Sequence, residues 1–330
     1  MQITKSVIKK LTEHNISLIL ADIGASGDSW SVFKVLKPIS NLLRFDPDLR
    51  DIREVKGTNE HRVVTINRAV VEQDCDEVEF YLTKSPYCSS TLKPDHEKLK
   101  SFAYADWFEV EKVVSVPAIT LNQSLSLGNF SHIDWIKLDT QGTEFRILDS
   151  LPDKVFDQLL VCDIEASLYQ HYLGADILPS LHDLMLKHDF WIAQMRPHWN
   201  TRISSNTSCE LSSRYQGQDR KIFEYSKHRE VTTLEFCYLR TIEGAKKRNY
   251  TFEQFLKLFT CHFSLGVFEY CLEILNEMDQ SFSNSKTVEI LRKETLAAID
   301  KRVEKSKTPY YISALIFRLK SLLPNLLWQN

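Results

Sequence analysis

The chain alternates short, densely apolar runs with amphipathic stretches, and the first run sets the pattern. Residues 16–20 (ISLIL) are almost continuously apolar and rich in isoleucine, as a parallel strand covered on both faces requires. The run ends at Asp22, and Gly24 and Gly27 follow in a turn. Asp28 or Ser29 is placed to cap a short helix over 30–36, which Pro38 stops. Further strands are predicted at 41–45, which closes on Asp46-Pro47, and at 63–71, 78–82, 110–116, 133–138, 159–164, 190–195 and 234–239. Helices fall between them, one presenting Phe145, Leu148 and Leu151 and another over 182–187. This alternation predicts an α/β fold with a doubly wound, mostly parallel sheet that binds ligands at the carboxyl edge of its strands. Residues 83–107 show no regular period and read as a lid or substrate loop, or else a surface excursion. Residues 204–220 are polar and serine-rich, which predicts a surface loop.

Past the polar, basic stretch 242–249 the pattern becomes purely helical: Phe252, Phe255 and Phe259, then beyond Gly266, Phe268, Cys271, Leu272 and Leu275. The expected organisation is a sheet domain over 1–241 and a helical C-terminal extension over 242–330. A single helical hairpin must pack on the sheet domain or on another subunit, so homo-oligomerisation stays open. Residues 310–329 are apolar but interrupted by Arg318, Lys320 and Pro324, too broken for a membrane span. The segment 310–330 packs on the protein or makes a peripheral membrane contact.

Composition narrows the function. A net charge of -3, from 41 basic and 44 acidic residues, gives no field to attract nucleic acid, and no nucleic-acid partner is expected. The seven cysteines are odd in number and scattered without a CxxC pair, which reads as reduced thiols of a cytoplasmic protein. The first fifteen residues lack a secretory apolar region. Glycine is scarce, 9 in 330 residues, about half its usual frequency. Gly24 and Gly27 after a strand therefore carry weight, because they let the backbone approach a ligand.

Four carboxylates, Asp22, Asp46, Asp139 and Glu165, fall at predicted strand ends and point to one cleft. Asp46 is placed to accept from both hydroxyls of a ribose, or is a turn residue before proline. Lys137 shares a strand face with Asp139 and reads as a salt-bridge partner or a catalytic group. Candidate acceptor contacts are Ser89 and Ser90 in the irregular segment, Gln141 in the turn after Asp139, and His198, for which a structural role is the alternative. No histidine or further acid stands at a ligand spacing from Asp139 and Glu165, so no metal is expected. A dinucleotide oxidoreductase would need a GxGxxG spacing that the turn lacks.

With these pieces assembled, the chain resembles the FkbM family of methyltransferases from about residue 16 to residue 240. The motifs, in order, are ADIGASGD, FDPD, SPYCSSTLKP, ITLNQSL, IDWIKLDTQGTEFRILDSL, DIEASLYQHYLG and HDFWIAQM. Asp46 stands where the family usually has Glu, and Asn122 where it usually has Asp. The resemblance implies a Rossmann-like sheet of the class I methyltransferase type, with one antiparallel strand near its C-terminal edge. It implies S-adenosylmethionine as cofactor and methyl transfer to an oxygen of a sugar, glycan or related small molecule. By position, Asp22, Gly24, Ala25, Ser26 and Gly27 would cradle the methionine part and ribose, Asp46 the ribose hydroxyls, and Ala69 the adenine. Asp139 and Glu165 are the candidate bases; either could instead bind the cofactor's amino group or cap a helix. The alternative function is a non-catalytic relative that binds through its helical extension.

Overall fold

The computed structural model describes residues 5–25, 31–48, 50, 57, 61–283 and 285–322; Ser26, Gly27 and the helix cap expected at Asp28 or Ser29 lie outside them. Ten strands follow in chain order: β1 Leu18–Ile23, β2 Ser40–Phe45, β3 Val63–Ile66, β4 Ala69–Val71, β5 Glu77–Thr83, β6 Val110–Thr120, β7 Trp135–Leu138, β8 Val161–Ser167, β9 Phe190–Asn200 and β10 Glu230–Arg240. Seven of them form one mixed sheet in the order β3-β2-β1-β7-β8-β10-β9. Strands β3, β2, β1, β7 and β8 pair in parallel, whereas β10 runs antiparallel to both β8 and β9. The chain steps outward from β1 to β2 and β3, then returns to β7 on the other side of β1. The crevice between β1 and β7 is thus a topological switch point, where an open sheet of this kind receives ligands.

Both faces of the sheet are covered, which explains why its strands read as continuous apolar runs. Ile19, Ala21, Ile23, Ile136, Leu138 and Cys162 pack against helices Leu121–Gly128, Glu144–Asp149 and Leu178–Lys187. On the opposite face, Leu18, Leu20, Trp135, Val161 and Leu239 share one core with Val7, Leu11, Phe33 and the C-terminal helices Phe252–Ser264 and Phe268–Ser281. Those two helices meet at Gly266, whose φ of +77° suits a left-handed turn. The helical part thus shares its core with the sheet across the boundary at 241. Lys257, on the first helix of this hairpin, places Nζ 3.0 and 3.1 Å from the two oxygens of buried Asp134, and Asp134 also accepts the Ile19 N–H at 2.7 Å. No described helix is long and apolar enough to cross a membrane.

Four expectations change. The single strand foreseen over 63–71 is broken at Asn67 and Arg68 into β3 and β4, which belong to different sheets; β4, β6 and β5 make a second, three-stranded sheet. The segment 83–107 is not without regular structure. It holds the helix His96–Leu99 and two 3-10 turns, anchored by a small core of Cys88, Leu99, Phe108, Tyr172 and Ala175. The polar stretch 204–220 folds into helices Ser205–Arg214 and Gly217–Ser226, with no buried residue in either. It reads as loop because neither helix has an apolar face to bury. Finally, β8, β9 and β10 run longer than their apolar cores, so Glu165 and His198 lie inside strands rather than past their ends.

Candidate active site

Two cavities meet at the carboxyl edge of β1, β2, β7 and β8. The larger, about 640 Å³, is lined by Gly24, Asp46, Ala69, Phe80, Ser89 and Asp139, among others. Gly24 turns the chain out of β1 with φ +74°, and a Cβ on it would stand 1.9 Å from the carbonyl oxygen of Asp139. Only glycine lets the ends of β1 and β7 come this close. The N–H groups of Gly24 and Ala25 both donate to the Phe45 carbonyl at 3.0 Å, which fixes β1's turn against the end of β2. There Asp46 is buried, and its Oδ1 accepts the N–H of Asp48 at 2.8 Å. Among the described residues no donor reaches its other oxygen. Burial pushes the Asp46 carboxyl up to about 6.

The DTQGTEF motif builds the floor of this cavity. Glu144, itself buried, accepts the N–H groups of Thr140 (2.9 Å) and Gly142 (3.1 Å), holding the turn closed. Gln141 sits at φ +60° and donates from Nε2 to Asp139 Oδ1 at 2.8 Å. Ser90 is buried behind the cavity wall and donates to the Gln141 carbonyl at 2.9 Å. The Tyr172 hydroxyl lies 2.8 Å from the Cys88 carbonyl and 3.0 Å from Gln141 Oε1. The serine-rich loop and the turn after β7 are thus stapled to each other. Ser89 lines the cavity and receives a hydrogen bond from Arg50, which also pairs with Asp48 at 2.7 Å.

The smaller cavity, about 410 Å³, is lined by Lys137, Asp139, Asp163, Glu165, Glu235 and neighbouring apolar residues. Asp139 lines both cavities. The register aligns Arg44, Asp22, Lys137 and Asp163 in one row across four strands, with charges alternating in sign. Lys137 places Nζ 3.8 Å from Asp22, 3.5 Å from Asp139 and 3.4 Å from the Gly24 carbonyl. Burial pushes the Asp22 carboxyl up, and the charges of Lys137 and Arg44 oppose that shift. Asp163 accepts from the Trp135 indole at 2.5 Å, and burial raises its carboxyl to about 7. The Glu165 carboxyl is raised well above the usual range, first by the charge of Asp139 and then by burial.

Of the residues singled out from sequence, the larger cavity gathers Gly24, Asp46, Ala69, Ser89, Gln141 and Asp139. Asp22 and Ala25 are not on its wall: Asp22 is buried against Lys137, and Ala25 offers its carbonyl to Arg44 at 2.9 Å. His198 lines neither cavity, and its Nε2 lies 3.1 Å from Glu235 Oε1. Glu235, Asp163 and Tyr172 were not foreseen. Two of them left a trace, since Asp163 and Glu235 are acids inside otherwise apolar runs (LLVCDI, TTLEFCYL), where a carboxylate is tolerated only with a partner or a purpose.

A family model described as the methyltransferase FkbM domain matches residues 24–195, slightly more than half of the chain. The match begins at the glycine of the turn that follows β1 and runs into β9, so it takes in that turn and the carboxyl ends of β2, β7 and β8. A search of curated proteins finds no match. By its site and by this match, the chain belongs to the FkbM methyltransferase family.

Proposed function

We propose that this methyltransferase takes its methyl group from S-adenosylmethionine and delivers it to a hydroxyl of a sugar, glycan or related metabolite. The observation that carries the reading is that Asp139 stands on the wall common to both cavities. The strand order, with a switch point between β1 and β7 and one antiparallel strand next to the edge, is consistent with a Rossmann-like sheet of the class I methyltransferase type. The wall of the larger cavity fits a nucleoside. Asp46 offers an oxygen with no donor among the described residues to ribose hydroxyls, while Ala69, Val70 and Phe80 supply an apolar border for an adenine. When bound, S-adenosylmethionine supplies a methyl group activated on a cationic sulfonium.

The chain's own residues do the rest. Gly24 holds the turn of β1 against Asp139, so the donor and acceptor sides are separated by a single residue. Transfer in line needs the acceptor oxygen about 3–3.5 Å from the methyl carbon, and the shared wall is where the two reactants can approach. Lys137 and Gln141 hold the Asp139 carboxylate in place from two sides. Asp139 then takes the proton of the acceptor hydroxyl as its oxygen attacks. Glu165 and Glu235 offer further oxygens to acceptor hydroxyls. Titration calorimetry with S-adenosylmethionine, followed by tritiated methyl transfer over a glycan and small-molecule panel, tests the reading. Absence of cofactor binding refutes it.

A further inference from the structure

At the far side of the smaller cavity, two of its lining carboxylates meet a histidine that lines neither cavity. Strand β10 places Glu235 directly opposite Glu165 of β8. Two carboxylates so paired across neighbouring strands repel each other. From β9, the pairing of His198 with Thr233, two positions along β10 from Glu235, brings His198 to the same spot, with Nε2 3.1 Å from Glu235 Oε1. One ligand atom from each of Glu165, His198 and Glu235 lies within 4.8 Å of the others.

The cations nearby are already paired. Lys137 lies against Asp22 and Asp139, and Arg196 pairs with Glu235 at 3.3 Å from an exposed position. Among the described residues Glu165 has neither a hydrogen bond nor an ion pair, although it lines the cavity and is only part-exposed. A part-buried carboxylate that faces a second one and has no hydrogen bond or ion pair of its own among the described residues is a place where a bound cation would be stabilised.

We propose that Glu165, His198 and Glu235 hold a divalent cation of the Mg²⁺ or Mn²⁺ kind at the wall of the acceptor cavity. Carboxylate oxygens suit such an ion, and three protein ligands leave coordination positions for hydroxyls of the acceptor. Arg196, half-exposed, yields its place on Glu235 when the ion binds. A hydroxyl bound to the ion loses its proton more readily, so Asp139, held by Lys137, has a less demanding proton to take. This role rests on reading the smaller cavity as the acceptor side; the binding of the ion does not.

The test is a Mn²⁺ titration of the full chain followed by electron paramagnetic resonance, with no methyl donor present. One bound ion is expected in the parent protein. His198→Ala and Glu235→Gln, at half-exposed positions that leave the core intact, should each weaken it at least about tenfold. No binding at millimolar Mn²⁺, or equal affinity in parent and both variants, overturns the proposal. The same samples are titrated with S-adenosylmethionine. Mn²⁺ binding without cofactor binding refutes the methyl-transfer reading alone, and cofactor binding without Mn²⁺ refutes the cation site alone.

Discussion

The two cavities that meet at Asp139 are built by different means. The larger is made of turns and short motifs: Gly24 against the Asp139 carbonyl, Glu144 closing the turn 140–142, Ser90 and Tyr172 stapling the serine-rich loop to Gln141. The long-range bonds here run from the Ser90 and Tyr172 side chains to Gln141 and from the Gly24 and Ala25 N–H groups to the Phe45 carbonyl, and the resulting wall is rich in apolar groups. The smaller cavity is made of charged side chains that sheet register brings side by side: Lys137 of β7, Asp163 and Glu165 of β8, Glu235 of β10. A pocket shaped by backbone suits one fixed ligand, because few side chains need change for the shape to be lost. A wall of side chains on regular strands changes its chemistry one residue at a time without disturbing the pairing beneath. The donor side is therefore where a family would share a ligand, and the acceptor side where this chain would set its own.

Asp139→Asn should break that comparison most sharply, since it alters the one residue both cavities share. Methyl transfer is expected to fall about 10²–10⁴-fold, the range for losing a positioned proton acceptor, while S-adenosylmethionine affinity stays within a few-fold. Parallel measurement by tritiated transfer and calorimetry checks the split. Equal transfer in parent and variant would remove Asp139 from the chemistry. Glu165→Gln tests the acceptor wall by itself. It should raise the KM for the acceptor with cofactor affinity unchanged; a loss of cofactor affinity would show the two cavities to be one site.

The next effect in size concerns the scaffold common to both. Lys257→Met strands buried Asp134, whose remaining partners include His132 and the Ile19 N–H. Removing one member of a buried pair costs about 3–5 kcal/mol, so denaturant unfolding should show a much lower midpoint, with transfer by the folded fraction unchanged. Because the helix Phe252–Ser264 shares a core with β1, β7 and β10, a chain ending at residue 241 should expose that core and fail to fold. A stable truncated protein would show the helices to be an accessory rather than part of the fold.

The same contrast explains what could be read from sequence. The larger cavity was legible in part because its parts are local: the strand and glycine turn in DIGASGD, of which Gly24 reaches the wall and Asp22 does not, and the DTQGTEF run that carries both Asp139 and the Glu144 that closes its turn. The break at Asn67 and Arg68 escaped because VVTINRAVV reads as one β-rich run, and nothing in a strand's period marks a change of sheet. Glu165 and His198 were singled out, but their grouping with Glu235 escaped for a different reason. Glu165 is 33 residues before His198 and 70 before Glu235 in the chain, and only the pairing of β8, β10 and β9 makes them neighbours. Ligand spacing along the chain cannot see a set assembled across three strands, so a metal looked unsupported where the register supplies both a histidine and a second acid.

The smallest expected effect is also the most discriminating for the donor side. Asp46 is buried at the end of β2, with its carboxyl pushed up to about 6. The ionised form accepts hydrogen bonds from two ribose hydroxyls more strongly than the protonated one, so cofactor binding favours the carboxylate and weakens as protons are added. Below about pH 6 the free protein holds Asp46 protonated, and affinity should fall as pH drops through that value; above it, affinity should level off. Hydrogen bonds to a charged group contribute about 1.5–3 kcal/mol, which places the loss in Asp46→Asn at roughly 10- to 150-fold. The variant has no proton to gain, so its weaker binding should be flat across the same range. Calorimetry from pH 5 to pH 8 on both proteins separates this from a general acid effect on the fold. A pH dependence that survives in Asp46→Asn would assign the titration to another group and leave the ribose contact without support.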